Sequence, residues 1–199
     1  MTTTLHLVRH GSHGRLDRQL CGRMEGVELS LEGRAEVARA AQRLKRERPA
    51  ALYSSPLQRC RETARDIADV LSLPVQEDEG LIELDFGEWT GLSFEELADD
   101  PRWEPWNTRR TQTRPPGGES LGECQMRAVR AVEAIHAAHP GAAVVLVSHS
   151  DVIKALACHW LGLTLDFYSR FEVGPASLTT AVVGDWGAKL VRLNEEPCS

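Results

Sequence analysis

Two arginines and two histidines in this sequence have the chemistry to bind and attack an anion. Arg9 and His10 end the apolar run "LHLV" and are followed by Gly11. Arg59 comes after "ALYSSPLQ", and His149 ends the apolar run "VVLVS". A guanidinium stays charged at physiological pH, whereas an imidazole can serve as an acid, a base or a nucleophile. The four residues therefore indicate a cleft that binds an anion and acts on it.

The elements around these residues alternate between strand and helix. Strands are predicted for the short, β-prone apolar runs at 4–9, 51–55 and 142–150, and a closing hairpin is predicted around Asp185 to Gly187. Ser30 is a candidate N-cap, as is Ser55, which is followed by a proline. These caps, and apolar residues that recur at helical spacing, predict helices over 30–48 and 55–72. The apolar spacing alone predicts two further helices over 118–141 and 151–163.

Alternation of this kind predicts the α/β class, as a three-layer α/β/α sandwich with a central, mostly parallel sheet. We expect a single domain over residues 1–199, with a small lid or cap segment at about 92–118. Ligands of such folds bind at the carboxyl ends of the strands, where the two arginines and two histidines fall. Glu83, in "LIELDFGEWTG", is the acid that we expect to join them.

The composition limits the classes of function. With 199 residues, 42% of them apolar, the chain can bury one sizeable core. It has no run of about 18 apolar residues and no apolar stretch of a signal peptide at its start, so we expect a cytoplasmic protein with no membrane partner. Residues 1–65 hold 13 Lys and Arg against 7 Asp and Glu, while residues 66–199 hold 10 against 22. This imbalance favours a local anion pocket over a nucleic-acid surface.

The cysteines indicate neither a disulfide framework nor a zinc knuckle. There are five, an odd number, and no two of them form a CxxC pair. We expect reduced thiols that mostly pack in the interior, and no metal or other cofactor. The positions are 21, 60, 124, 158 and 198.

Six ordered segments that span most of the chain resemble the phosphoglycerate mutase-like branch of the histidine phosphatase superfamily, phosphatase type. They are "LVRHG" (7–11), "ELSLEGRAEVA" (28–38), "SSPLQRCRETA" (54–64), "ELDFGEWTG" (83–91), "PPGGES" (115–120) and "VSHSDVIKAL" (147–156). The resemblance implies a phosphomonoester hydrolase with a phosphohistidine intermediate on His10. It also implies that Arg9, Arg59 and His149 hold the phosphoryl oxygens, and that Glu83 donates a proton to the leaving oxygen and then acts as general base.

Physical chemistry agrees with those roles. Phosphoryl transfer is catalysed mainly by positioning and by fixed positive charge around the phosphoryl oxygens. The neighbouring guanidiniums also disfavour protonation of His10, so its imidazole is expected to stay neutral and nucleophilic. Glu83 must begin protonated, and burial would raise its pKa. Glu88 lies in the same turn-rich stretch, and spacing alone does not separate it from Glu83; the family pattern selects Glu83.

Substrate contacts are predicted less directly. Arg109 and Arg110 resemble the paired arginines of the mutases, so they are candidates for binding a second anionic group, with a solvent-exposed loop pair as the alternative. Trp103 and Trp106 are expected to form a small lid core, and either could line the pocket. Hydrolysis is favoured over mutase chemistry because only 65 positions separate Glu83 from His149, too few for the larger cap of the mutases.

The segment "SHGRLD" after "RHG" departs from the family pattern. The usual Asn contact to phosphate is not assignable there, and Ser12 or His13 are the candidates to replace it. Gly22 is placed near the pocket by resemblance to the family's substrate loop, which leaves Arg23 undecided. Ser150, directly after His149, completes the candidate substrate-binding residues.

The remaining histidines have ordinary structural explanations. His6 has the spacing to pair with His10 at a metal, but a strand histidine with a local partner is the simpler interpretation. His136, His139 and His159 are expected at helix ends or in helix packing. Two other functions stay open: a non-catalytic phospho-ligand binder on the same fold, and a metallohydrolase, which leaves both arginines unexplained. The expected partner is a small-molecule phosphomonoester, with a homodimer left open.

Overall fold

The computed structural model describes residues 1–197, so Cys198 lies outside the described residues. Its strands are β1 (Thr2–Arg9), β2 (Ala51–Ser54), β3 (Val75–Glu77), β4 (Ala143–Ser148), β5 (Leu178–Gly184) and β6 (Gly187–Glu195). Its α-helices are α1 (Leu31–Lys45), α2 (Gln58–Leu71), α3 (Phe94–Ala98), α4 (Trp103–Thr108), α5 (Leu121–Ala138) and α6 (Ser150–Leu161). Within this part of the chain, no helix has the length and apolar character needed to cross a membrane.

The six strands form one sheet in the order β3-β2-β4-β1-β5-β6. The first four of these are mutually parallel, because β2 pairs in parallel with β3 and β4, and β4 pairs in parallel with β1. Strands β5 and β6 are antiparallel and form the predicted closing hairpin. The predicted mostly parallel sheet is confirmed.

Helices cover both faces of the sheet. Alternate residues of each strand point to opposite faces, so Leu5 and Leu7 of β1 join one core cluster while Val8 joins the other. The first cluster is closed by the buried faces of α5 and α6, and the second by those of α1 and α2. The arrangement is the predicted three-layer α/β/α sandwich.

Side-chain caps start several of the helices. The Ser30 hydroxyl accepts a hydrogen bond from the Gly33 amide, as predicted for an N-cap. Ser55 was expected to cap the second helix, and that prediction is wrong, because α2 begins at Gln58 and its N-cap, Leu57, makes no side-chain cap. The Ser55 hydroxyl is bonded to His149 instead.

The segment between β3 and α5 carries α3, α4 and a cluster of aromatic side chains. Trp89 and Trp106 are fully buried and pack edge-on or tilted against each other and against Trp103 and Phe86. Gly87 lets this segment turn, with φ +51°, and a Cβ there would lie 2.1 Å from the Pro116 carbonyl oxygen. The close approach of Gly87 to Pro116 therefore holds the segment that follows Glu83 in place.

Candidate active site

The predicted residues meet at one edge of the sheet. Arg9 at the end of β1 lies opposite Ser148 at the end of β4, and Ser54 at the end of β2 lies opposite Val147. The chain continues from these ends into an open cleft. The cleft is lined by Arg9, His10, His13, Leu16, Asp17, Gln19, Leu20, Cys21, Gly22, Arg59, Glu83, Phe86, Phe94, Ser150 and Asp151.

A hydrogen bond to the backbone orients the His10 imidazole. Its Nδ1 lies 2.9 Å from the Gly11 carbonyl oxygen, which can only accept, so Nδ1 carries the proton and the lone pair is on Nε2. Burial lowers the pKa of His10 well below its usual value, and the charges of Arg59 and Arg9 lower it further. The imidazole is therefore neutral, with a nucleophilic nitrogen defined by its surroundings.

Gly11 makes this geometry possible. A Cβ at Gly11 would lie 2.6 Å from the Gly33 carbonyl oxygen and 2.9 Å from Val37 Cγ2, so only glycine allows the chain to press against α1 here. The Gly11 amide donates to the Thr63 hydroxyl of α2 at 3.1 Å. Both helices on this face therefore hold the turn that follows His10.

Two guanidiniums flank the cleft, and each is anchored through one nitrogen. Arg9 Nη1 donates to the Val173 carbonyl at 2.7 Å, and Arg59 Nη2 donates to the Gly22 carbonyl at 2.7 Å. Arg9 Nε and Arg59 Nη1 are buried and have no hydrogen-bond partner in residues 1–197. Unpaired buried N–H groups are costly, and an anionic oxygen is the partner that cationic donors bind most strongly.

His149 is fully buried between Arg59 and Ser55. Its Nδ1 lies 3.1 Å from Arg59 Nη2, which can only donate, so Nδ1 accepts and the ring proton is on Nε2. That proton is donated to the Ser55 hydroxyl at 2.7 Å. Burial and the charge of Arg59 lower the pKa of His149 well below its usual value. The ring is neutral and its tautomer is fixed.

Glu83 has the acidity expected of a proton donor. Burial, followed by the charge of Asp151, raises its pKa to about 7, from the ordinary value of 4.5. Its Oε1 accepts from the Leu84 amide at 2.9 Å, and its Oε2 lies 3.7 Å from His149 Nδ1. Glu88, its competitor in the sequence, has a side chain that is 68% exposed and pairs with Arg102. Of these two glutamates, Glu83 lines the cleft and Glu88 does not.

The substrate-loop predictions have different outcomes. Gly22 lines the cleft with φ +48°, and its carbonyl anchors Arg59. Ser150 lines the cleft at the start of α6, where a helix N-terminus favours an anion. Ser12 does not line the cleft, because its hydroxyl donates to Glu36 at 2.8 Å. Arg23 supports the acid from outside, donating to the Glu83 carbonyl at 2.8 Å.

The paired arginines do not point into the cleft. Arg109 is exposed. Arg110 is buried, with its guanidinium 4.0 Å from the Trp106 ring and 3.9 Å from the Tyr168 ring, and it pairs with Asp151 at 3.5 Å. Arg110 thus connects the segment after α4 to the start of α6. Neither Trp103 nor Trp106 lines the cleft, where Phe86 and Phe94 supply the apolar wall.

Sequence reasoning missed two carboxylates that line the cleft, Asp17 and Asp151, and left His13 undecided. Asp17 adopts a left-handed φ of 58°. Asp151 follows His149 by two residues in the helix start, a position that could have been read from "VSHSD". His13 lies with its ring centroid 5.3 Å from that of His10, the same spacing as that between His10 and His149.

The other histidines lie outside the cleft. His6 Nδ1 is 3.2 Å from the Thr180 hydroxyl, His136 is bonded to Thr3, and His139 is bonded to Tyr53. Across residues 1–197, no group of three or more His, Cys, Asp or Glu side chains is arranged to hold a metal ion. The described cysteines, at 21, 60, 124 and 158, are free and buried.

A family model and several known proteins match this chain. A family model described as the histidine phosphatase superfamily (branch 1) matches residues 5–196. The bifunctional protein Rv2228c of Mycobacterium tuberculosis is 38% identical over 197 residues, covering 96% of this chain but 53% of that protein, so the chain spans about half the length of this relative. Phosphoserine phosphatase 1 of Hydrogenobacter thermophilus is 32% identical, covering 96% of this chain and 91% of that protein.

A solved structure shows the same fold. The mycobacterial glucosyl-3-phosphoglycerate phosphatase Rv2419c superposes with a TM-score of 0.88 at 28% sequence identity, covering 98% of this chain and 100% of that one.

Proposed function

We propose, from the premise that the chain belongs to branch 1 of the histidine phosphatase superfamily, that it hydrolyses phosphomonoesters through a phosphohistidine on His10. One observation carries the proposal. His10 Nε2, with its lone pair free, shares the cleft with two guanidiniums that each have a buried, unpartnered N–H group. Such a site fits a phosphoryl group and places a nucleophile beside it.

The first step joins His10 Nε2 to phosphorus and breaks the bond between phosphorus and the ester oxygen. Arg9 and Arg59 balance the charge on the phosphoryl oxygens. His149, which does not line the cleft, acts through Arg59, whose guanidinium it holds by accepting a hydrogen bond at Nδ1. Glu83, whose raised pKa of about 7 keeps part of the population protonated near neutral pH, gives its proton to the departing oxygen, so a neutral alcohol leaves.

The second step reverses the proton transfer. The Glu83 carboxylate removes a proton from a water molecule, whose oxygen bonds to phosphorus while the bond to His10 Nε2 breaks. Inorganic phosphate leaves, His10 becomes neutral again, and Glu83 is protonated for the next cycle. One carboxyl group thus acts as acid and then as base.

Hydrolysis fits the cleft better than mutase chemistry. A bisphosphorylated intermediate needs cations for two phosphates, but Arg9 and Arg59 are the two Lys or Arg side chains that line the cleft among the described residues. Of the two candidates for binding a second anion, Arg109 is exposed to solvent, and Arg110 is buried and pairs with Asp151. We therefore retain the phosphatase as the proposed function.

The test is turnover and trapping of the intermediate. The purified protein should hydrolyse p-nitrophenyl phosphate and, after a rapid acid-free quench with labelled substrate, should carry an acid-labile phosphate on His10. His10→Ala should lose both signals. A protein that binds inorganic phosphate but turns over no phosphomonoester would instead be the non-catalytic binder. A panel that includes phosphoserine and glucosyl-3-phosphoglycerate, the substrates named for two relatives, and 3-phosphoglycerate would identify the substrate class.

A further inference from the structure

His13 is a buried polar side chain without a partner for one of its nitrogens. The residue is 8% exposed, and its Nδ1 has no hydrogen-bond partner within the described chain. Buried polar atoms are nearly always paired, and leaving one unpaired costs on the order of 1–3 kcal/mol. His13 lines the cleft, so a group that binds in the cleft is the available partner for this unpaired nitrogen.

The backbone fixes the position of this ring. His13 forms an isolated bridge with Leu29, and the preceding residue, Ser12, is held through its amide and hydroxyl by the Glu36 carboxylate at 2.9 and 2.8 Å. Gly33 packs against the same loop so closely that a Cβ there would lie 2.1 Å from the Ser12 carbonyl oxygen. The ring is therefore preorganised at the cleft, with its centroid 5.3 Å from that of His10.

The charges facing His13 keep it neutral. Burial lowers its pKa to about 4, and Arg59, Arg9 and Arg15 lower it too, whereas Asp17 acts in the opposite direction. At neutral pH the ring therefore has one N–H group and one lone pair. A neutral imidazole can donate a hydrogen bond to an anion without exchanging a proton.

We infer that His13 is a further catalytic residue, whose Nδ1–H donates a hydrogen bond to a non-bridging oxygen of the phosphoryl group in transfer to His10. This inference rests on the proposed function. It also decides between the two candidates of the "SHGRLD" segment, because Ser12 is bound to Glu36 while His13 faces the cleft. The phosphoryl group then has two charged donors and one neutral donor.

The experiment compares His13→Ala with His13→Asn. The amide nitrogen of Asn can reproduce a donor at the position of Nδ1, while Ala removes it. For p-nitrophenyl phosphate, His13→Ala should lower kcat/KM about 100-fold, the typical loss for one preorganised donor. His13→Asn should restore it to within about 10-fold of wild type and leave the shape of the pH profile unchanged. His159→Ala removes an exposed imidazole at the far end of α6 and serves as the control.

A second measurement does not depend on variants that fold. In the wild-type protein labelled with ¹⁵N-histidine, addition of inorganic phosphate should move the Nδ1 resonance of His13 and strengthen its N–H signature. Unchanged Nδ1 resonances at saturating phosphate would overturn the inference. So would wild-type kcat/KM in a folded His13→Ala, or an Asn variant as impaired as the Ala variant. If wild-type protein hydrolyses no phosphomonoester, it is the proposed function that fails.

Discussion

Ser55 accepts a 2.7 Å hydrogen bond from His149 Nε2, entirely in the buried interior. The bond crosses from the end of β2 to the end of β4 and leaves His149 Nδ1 facing Arg59 and Glu83. A serine that the sequence suggested as a helix cap is thus the residue that selects the tautomer of the second histidine. Under the proposed function, we expect Ser55 to act through His149 as a positioning residue.

Ser55→Ala should therefore impair turnover without loss of the fold. Removing the acceptor leaves the buried Nε2–H of His149 unpaired and frees the ring to rotate or change tautomer, at a cost of about 1–3 kcal/mol. We expect kcat for p-nitrophenyl phosphate to fall about 10- to 100-fold. Steady-state kinetics and the ¹⁵N shifts of His149 measure the two effects.

Ser54→Ala is the matched control for this variant. Ser54 is equally buried and adjacent, but its hydroxyl donates to the Ser55 carbonyl at 2.9 Å and does not touch His149. Equal losses of kcat in both variants, or unchanged His149 resonances in Ser55→Ala, would contradict a positioning role for Ser55.

Glu83→Gln should remove the alkaline limb of the pH profile. A proton donor with a pKa of about 7 is protonated below that pH, so wild-type kcat/KM should fall as pH rises through about 7. The loss in Glu83→Gln should be largest for an alkyl phosphate such as glycerol phosphate, about 100-fold or more, because a poor leaving group needs the proton. With p-nitrophenyl phosphate the loss should be smaller.

Glu88→Gln is the comparison for that experiment. Its carboxylate lies outside the cleft and is largely exposed, so both substrates should be hydrolysed at rates close to those of wild type. The reverse ranking of the two variants would show that Glu83 is not the acid.

The raised pKa of Glu83 also predicts how stability depends on pH. The folded state binds this proton more tightly than the unfolded state, whose carboxyl has a pKa near 4.5, so the stabilisation is full below about 4.5 and is lost as pH rises through about 7. Glu83→Gln should therefore raise the free energy of unfolding relative to wild type more at pH 8 than at pH 5. Urea titrations at the two pH values measure the difference, and a gain that does not change with pH would refute it.

Gly33→Ala should destabilise the protein by about 2 kcal/mol, although alanine usually favours a helix. The added Cβ would meet the Ser12 carbonyl oxygen at 2.1 Å and force α1 away from the loop that carries His13. Gly14→Ala is the control, since a Cβ there meets nothing within 4 Å. Thermal unfolding of both variants tests this. Equal midpoint temperatures would show that the loop at Ser12 can move away from the added Cβ without loss of stability.

Chelation should leave turnover intact. The proposed steps use an imidazole, two guanidiniums and a carboxyl group, and we expect excess EDTA to change kcat/KM for p-nitrophenyl phosphate by no more than the error of the assay. Activity lost to EDTA and recovered with zinc would favour the metallohydrolase instead.

The sequence was sufficient for the layers of the fold and for the positions of Arg9, His10 and Arg59 near the strand ends, because these follow from local patterns, whereas the choice of Glu83 over Glu88 depended on the family resemblance. Apolar runs predict the strands, and polar residues just beyond them, such as His10, fall at the edge where parallel strands end. The burial of Arg110 could not be predicted this way, since it depends on Trp106 and on Tyr168, 58 residues further along the chain. The role of Ser55 was equally hidden, because a local helix-start pattern competes with a contact to a residue 94 positions away.

The choice between Ser12 and His13 was open for a similar reason. Both are polar and adjacent, and which one reaches the cleft is decided by Glu36 of α1, which binds the serine. Tertiary partners thus determine function where neighbouring residues have similar chemistry.

Cys60 lies beside His149, with its sulfur 3.4 Å from His149 Nε2, and burial raises the pKa of its thiol to about 12. Peroxide attacks the thiolate, a form that this residue does not populate at neutral pH. The covalent chemistry proposed here takes place on a nitrogen, and the buried Cys60 thiol stays protonated. We expect the protein to keep its activity under oxidising conditions that inactivate hydrolases whose nucleophile is a cysteine.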